Sequence, residues 1–389
     1  MGPSFNEQFD QHGVWRREFA QQLKRLADWM ATHDLMDAAV QERLQRLEDQ
    51  VRSDKVMVAF VAEFSRGKSE LINAIFFADY GRRIMPASAG RTTMCPTELG
   101  YDANVAPSLR LLPIETRLQM QSLAEWRVKA DRWHEIPLDV GNADQIAKAL
   151  EKVAEVRKVS LDNARALGFW HDDLTDENPV PDAQGMVEVP MWRHAIINIP
   201  HPLLKQGLVI LDTPGLNAVG AEPELTVNLI PQAHAVVFIL SADTGVTRSD
   251  LSIWREHLAI SPESVEARLV VLNKIDTLWD TLNTAEQVQS QMERQCATSA
   301  EMLGVSLDRV VPVSAQKGLV AKITADDVLL ETSGLPALEE ALAKGIMGRR
   351  QSILRAAVAT GVASLRTETS RVINIRRRDL DDQMAELRS

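Results

Sequence analysis

The chain has 389 residues, 45% of them hydrophobic and 25% charged, with a net charge of -11. The length allows more than one domain with a real core, and the balance is that of an ordinary soluble protein. The acidic excess argues against a nucleic-acid binder, which needs a basic face. Two cysteines, Cys95 and Cys296, make no disulfide framework and suit a reducing compartment.

The N-terminal MGPSFNEQFDQ lacks the apolar core of a signal peptide. No stretch approaches the ~20 apolar residues of a membrane span, so a cytoplasmic setting is expected. Residues 14–52 carry Trp15, Phe19, Leu23, Leu26 and Met30, then Val40, Leu44, Leu47 and Val51, at helical spacing. Thr32–Asp34 interrupts them, which predicts a helical hairpin.

From Val56 short apolar runs replace the helical stripe: VMVAFV (56–61), AIINI (195–199), LVIL (208–211), AVVFIL (235–240), LVVL (269–272) and VVPV (310–313). They are continuous rather than alternating, as strands covered on both faces should be. Helical segments lie between several of them, so the fold class is α/β with a mostly parallel central sheet. Residues 118–175 read as a helical insertion, with Asn142 and Gln145 as a capping box before Ile146, Leu150 and Val153. Segment 171–190 is acidic and proline-containing and reads as an exposed loop. After Leu335 a helical stripe returns in Leu354, Val358, Val362, Leu365 and Val372, with Gly361 a weak point of about 1 kcal/mol. Such a helix packs on the N-terminal hairpin, or the chain is part of something longer. The expected domains are 1–53 (helical hairpin of a bundle), 54–348 (nucleotide domain) and 349–389 (long helix of the bundle or the start of a stalk).

Five motifs fall at strand ends or the loops after them, where α/β sheets bind ligands. The first, AEFSRGKS (62–69), nearly fits G-x-x-x-x-G-K-[ST], with Ala62 in place of glycine. The backbone of Glu63, Phe64, Ser65, Arg66 and Gly67 is expected to wrap phosphates, Lys68 to reach the β- and γ-phosphates, and Ser69 to hold Mg2+. The second, GRTTMCPTE (90–98), offers Thr93, chosen over Thr92, as a Mg2+ and γ-phosphate ligand. The third, LVILDTPGL (208–216), offers Asp212 beside Mg2+ and the Gly215 N–H for the γ-phosphate; a strand-end Asp before Pro-Gly is also a common turn. The fourth, LVVLNKID (269–276), reads guanine: the Asp276 carboxylate accepts from N1–H and N2–H2, Asn273 ties the base loop to the phosphate loop, and the Lys274 stem packs along the base. Adenine has no donors to match that carboxylate, and a polar mismatch discriminates strongly. The fifth, VPVSAQKG (311–318), closes the base site with Ser314, Ala315 and Gln316, the Ala315 N–H facing guanine O6. Together they predict a P-loop GTP-binding domain. The residue after D-x-x-G is Leu216, which cannot orient water as a glutamine would. Ser65, Arg66 or the backbone near Thr93 must serve instead, with Arg66 a candidate in-cis charge; a solvated loop arginine is the alternative.

AEFSRGKSELINAIF, RTTMCPTEL, the wide gap before LVILDTPGL, then PQAHAVVFILSADTGVTRSD, NKID and VSAQKGL make the chain resemble a dynamin superfamily GTPase, most like the bacterial dynamin-like proteins. The resemblance implies GTP hydrolysis with Mg2+, stimulated when two GTPase domains meet across their nucleotide faces. It implies a loop serine, Ser65 by position, with a monovalent cation (K+ or Na+) supplying missing charge. It also implies self-assembly and membrane binding or remodelling, hence a peripheral membrane location. GTP and GDP are the expected ligands, a homodimer the expected assembly, lipid a candidate partner, and nucleic acid none. The rival readings are a GTP-dependent switch that binds a protein partner without remodelling membrane, an RNA-linked GTPase, and a nucleotide-binding scaffold with negligible turnover.

Overall fold

A computed structural model describes residues 5–37, 40–41, 43–45, 47–48, 55–86, 95–119, 121–172, 178–214, 230, 233–258, 268–279, 284–346 and 350–388. Two compact units emerge, Met1–Lys55 with Gly348–Ser389, and Val56–Met347.

In the first unit a helix spans Phe5–Thr32 and a second segment is helical where described between 40 and 48. The first ends where Asp34 adopts a left-handed φ of 53°, and the Asp37 carboxylate opens the next by accepting from the Val40 N–H at 2.7 Å. The closing helix, Arg350–Arg388, buries Val358 and Leu365 against Leu23, Met30, Val40, Leu44 and Leu47. Its Gly361 is more than a tolerated weak point. A Cβ there would lie 2.5 Å from Leu47 Cδ2, so a larger residue would require the Leu47 side chain to move.

The second unit is built on strands β1 (Val56–Ala62), β2 (Thr97–Gly100), β3 (Ser108–Pro113), β4 (His134–Pro137), β5 (Val156–Ser160), β6 (Met186–Pro190), β7 (Trp192–Asn198), β8 (Leu208–Asp212), β9 (Ala235–Ser241), β10 (Arg268–Asn273) and β11 (Val310–Pro312). Nine form one sheet in the order β11-β10-β9-β1-β8-β2-β7-β3-β4, and β5 pairs with β6 apart from it. From β11 to β8 every pairing is parallel. The β2–β8, β3–β7 and β3–β4 pairings are antiparallel. The central strands β8, β9 and β10 are buried at every position, which is why each holds an unbroken apolar run between or before its polar ends. Phe60, Phe77 and Phe238 are fully buried between the layers.

Residues 118–175 are not purely helical. They hold short helices at Leu123–Arg127, Ala143–Glu151 and Leu161–Ala166, and also β4 and β5. β4 forms because β3 leaves an edge to which His134–Pro137 pairs. The Asn142 side chain caps Gln145 N at 3.0 Å, but Gln145 turns to Asp139 N and the Pro137 carbonyl, so the box is half made. The expected loop 171–190 ends in strand β6, since Val187 and Val189 alternate with exposed Glu188 and face the cluster of Ile114, Val159 and Phe169. At the edge half of the sheet, buried Glu98 of β2 accepts from His194 Nε2 of β7 at 2.9 Å and from Arg127.

Candidate functional site

The register aligns the motifs on one rim. Phe60 of β1 is opposite Asp212, Ala62 opposite Ile239, Asn273 opposite Ser241, and Leu272 opposite Pro312. Parallel strands put all these carboxyl ends on the same edge, so the loops leaving them converge.

The phosphate loop turns sharply between β1 and the helix beginning at Lys68. Ser65 and Gly67 take left-handed φ values of 61° and 84°. Gly67 also faces Asn273: a Cβ would lie 2.4 Å from its Nδ2. Phe64 stands at the loop tip, 47% exposed. The helix continues from Ile72 into a wider π turn at Asn73–Phe77, a feature frequent at functional sites. Buried Asn73 clamps the next segment, accepting from Ile84 N at 2.9 Å and Met85 N at 2.7 Å and donating to the Met85 carbonyl at 3.0 Å.

Asn273 joins three motifs with one side chain. Its Nδ2 donates to the Arg66 carbonyl at 2.8 Å, and its Oδ1 accepts from the Ala315 N–H at 3.0 Å. Asp276 Oδ1 accepts from the Ser314 hydroxyl at 2.6 Å, and the same hydroxyl caps Lys317 N at 3.2 Å. Gln316 is exposed beside them. Lys274 has a left-handed φ of 60°, and its ammonium lies 3.3 Å from Asp243 Oδ2. Burial opposes ionisation of Asp243, but the Ser241 hydroxyl and the Lys274 ammonium hold its carboxyl below the usual range.

On the phosphate side Lys68 Nζ lies 2.5 Å from Asp212 Oδ1 and donates to the Thr213 carbonyl. Asp212 is 2% exposed, and apart from the Lys68 ion pair its carboxylate oxygens have no hydrogen-bond partner among the described residues. A desolvated carboxylate with spare acceptor capacity, with a half-buried hydroxyl at Ser69 next in sequence to Lys68, fits Mg2+, which takes one or two protein oxygens and completes its shell with phosphate and water. Thr213 anchors this strand end by donating to the Phe60 carbonyl at 2.9 Å. Thr92, Thr93, Gly215 and Leu216 lie outside the described residues.

One expectation is corrected. Arg66 is not a solvated loop arginine. It is 7% exposed, and its guanidinium donates to Glu63 Oε2 at 2.5 Å, Asp250 Oδ2 at 3.0 Å, Thr247 Oγ1 at 3.3 Å and Thr244 Oγ1. The sequence reading missed Asp243, Thr244, Thr247 and Asp250. Thr247 and Asp250 carry a signal, the T-x-x-D capping box, whose reciprocal bonds are both present.

A family model described as the dynamin family matches residues 58–275. An uncharacterized protein of Caldicellulosiruptor, encoded in the xynA 3' region, is 21% identical over 84% of this chain and 64% of its own length. Dynamin-like protein A of Bacillus subtilis is 25% identical over 73% of this chain and 24% of its own. A solved structure of an oligomerised bacterial dynamin pair, described for long-range sensing and tethering of membranes, aligns with 99% of this chain and 59% of its own at 15% identity and a TM-score of 0.49. The chain thus spans less than two thirds of these relatives.

Proposed function

The chain belongs to the dynamin family, a family of GTPases, and on that footing we propose that it binds GTP with Mg2+ and hydrolyses it by attack of water on the γ-phosphate. The observation that supports this reading is the Asn273 bridge, which ties the loop of residues 62–69 to the N-K-x-D and S-A-Q motifs. The amides of residues 63–67 wrap the phosphates, and Lys68 exchanges Asp212 and the Thr213 carbonyl for phosphate oxygens. Ser69, Asp212 and Thr93 hold Mg2+, which supplies charge stabilisation for the phosphoryl group. Gly215 meets the γ-phosphate, Asp276 and Lys274 read and cover the base, and Ser314, Ala315 and Gln316 close it.

Two features shape the chemistry. Leu216 offers the attacking water no hydrogen bond, and the Arg66 guanidinium is already taken by two carboxylates and two hydroxyls. Transition-state charge must then be met by Lys68, Mg2+ and groups near Ser65, including a monovalent cation. A second copy of the GTPase domain, docked across the nucleotide face, stimulates the reaction and excludes water. Coupling to a membrane surface is the last part of the proposal and rests on the family alone. Among the described residues no helix is long and apolar enough to cross a membrane.

Phosphate release from GTP tests each part separately. Turnover is expected to need Mg2+, to rise per molecule with protein concentration, and to fall roughly a hundredfold or more in Lys68→Ala, which removes the cation on the β- and γ-phosphates. Near-normal turnover in that variant would sink the phosphate-site assignment. A flat concentration profile would remove only the dimer step, and absence from sedimented anionic liposomes would remove only the membrane step.

A further inference from the structure

None of the five motifs includes the turn after β9, yet that turn closes around the phosphate loop. Thr244, Thr247 and Asp250 of that turn all accept from the Arg66 guanidinium. Asp250 is completely buried. Its Oδ2 accepts from Arg66 at 3.0 Å, from the Thr247 N–H at 3.0 Å and from the Thr247 hydroxyl at 2.8 Å. Glu63, on the loop itself, takes a second guanidinium hydrogen bond at 2.5 Å. The Arg66 carbonyl meanwhile receives Asn273 Nδ2 at 2.8 Å. Arg66 is therefore fixed at both ends, by its side chain to the turn and by its carbonyl to the base-reading strand. Its two neighbours, Ser65 and Gly67, are the residues with left-handed φ. A serine there is strained by about 1 kcal/mol or more, and strain persists only where the surroundings over-determine it.

Resting on the nucleotide reading above, we propose that Asp250 is a positioning residue: through Arg66 it holds the phosphate loop in its phosphate-binding shape, without touching the nucleotide. Asp250 also belongs to the capping box of the helix Arg248–Ile253. A cap needs only an acceptor oxygen, whereas the clamp needs the charge, because without it the buried guanidinium keeps Glu63 alone as a counter-charge and loses its tie to the turn. Asp250→Asn separates the two roles, and Asp250→Glu restores the charge.

The test is titration of wild type, Asp250→Asn and Asp250→Glu with fluorescent GDP and with its inosine counterpart, which lacks the 2-amino group read by Asp276. Asp250→Asn is expected to weaken both ligands by the same factor, about tenfold, and Asp250→Glu to recover most of it. The parallel loss is what a defect in the phosphate loop gives; a defect in base reading changes the ratio. GDP binding by Asp250→Asn at wild-type strength, or a change confined to the ratio, overturns the inference and leaves the nucleotide reading intact. Wild type binding neither ligand overturns both. If Asp250→Asn does not fold, the pair Arg66→Met with Asp250→Leu removes both charges together. Weak GDP binding by that folded pair supports the clamp, and wild-type binding overturns it.

Discussion

Gly67→Ala puts the joint between phosphate loop and base motif under direct load. The backbone there has φ +84°, and an added Cβ would sit 2.4 Å from Asn273 Nδ2. Alanine in the left-handed region costs about 1 kcal/mol. The carboxamide must also swing away, giving up the hydrogen bond to Arg66 at 2.8 Å and the one from Ala315 at 3.0 Å. Each is worth about 1 kcal/mol, more where the abandoned partner stays buried. The sum is about 3 kcal/mol, on the order of a hundredfold in Kd. In the free protein the loop can relax around the methyl; with nucleotide in place, loop and base motif must both hold position, so the penalty falls on binding. Fluorescent GDP titration measures it, with the melting temperature of the nucleotide-free variant as a check on the fold. Binding within about threefold of wild type would refute the view that Asn273 holds the two halves of the cleft together.

Burial opposes ionisation of Glu98, yet Arg127 and His194 hold its carboxyl down to about 2 from an ordinary 4.5. A depressed folded value means the charged form stabilises the fold above about 4.5 and that this support is lost as pH falls toward about 2, an effect of roughly 3 kcal/mol. Thermal melts across that window should therefore drop more steeply for wild type than for Glu98→Gln, and parallel curves would contradict the network. Burial, with Glu293 beside it, pushes the Cys296 thiol up to about 11, and Cys95 is buried too. Thiol reagents at about pH 8 should label the native protein slowly and both cysteines quickly once it is denatured; fast labelling of the native form would count against this burial.

What could be read from the sequence divides along physical lines. Strands β1, β8, β9 and β10 announce themselves because two covered faces demand apolar residues at every position. β2 does not: its four residues, Thr97–Gly100, include a glutamate that is buried only because Arg127 and His194 reach it from distant segments. β4 is mostly exposed and exists because β3 has an edge to fill, a fact of topology rather than composition. The site divides in the same way. Lys68, Asp212, Asn273 and Asp276 can be proposed from the sequence because a phosphate, metal and base site would fix both residue type and spacing. The direction taken by the Arg66 side chain is set partly by nearby Glu63 and partly by Thr244 and Asp250, 178 and 184 positions away, and a local pattern carries only the first part.

Ala62 is the one place where the loop departs from the glycine pattern. It is 1% exposed, closes β1 and pairs in register with Ile239 of β9. Glycine is required where φ is positive or another group comes too close for a Cβ. Positive φ falls at Ser65 and Gly67 and not at Ala62. At this position the chain is still strand, and the methyl is one more buried apolar group beneath the turn. The tightness of the loop is thus concentrated in residues 65–67, where Asn273 presses on one side and the buried Arg66–Asp250 pair pulls on the other. A loop held from both sides has no need of a glycine at its entrance.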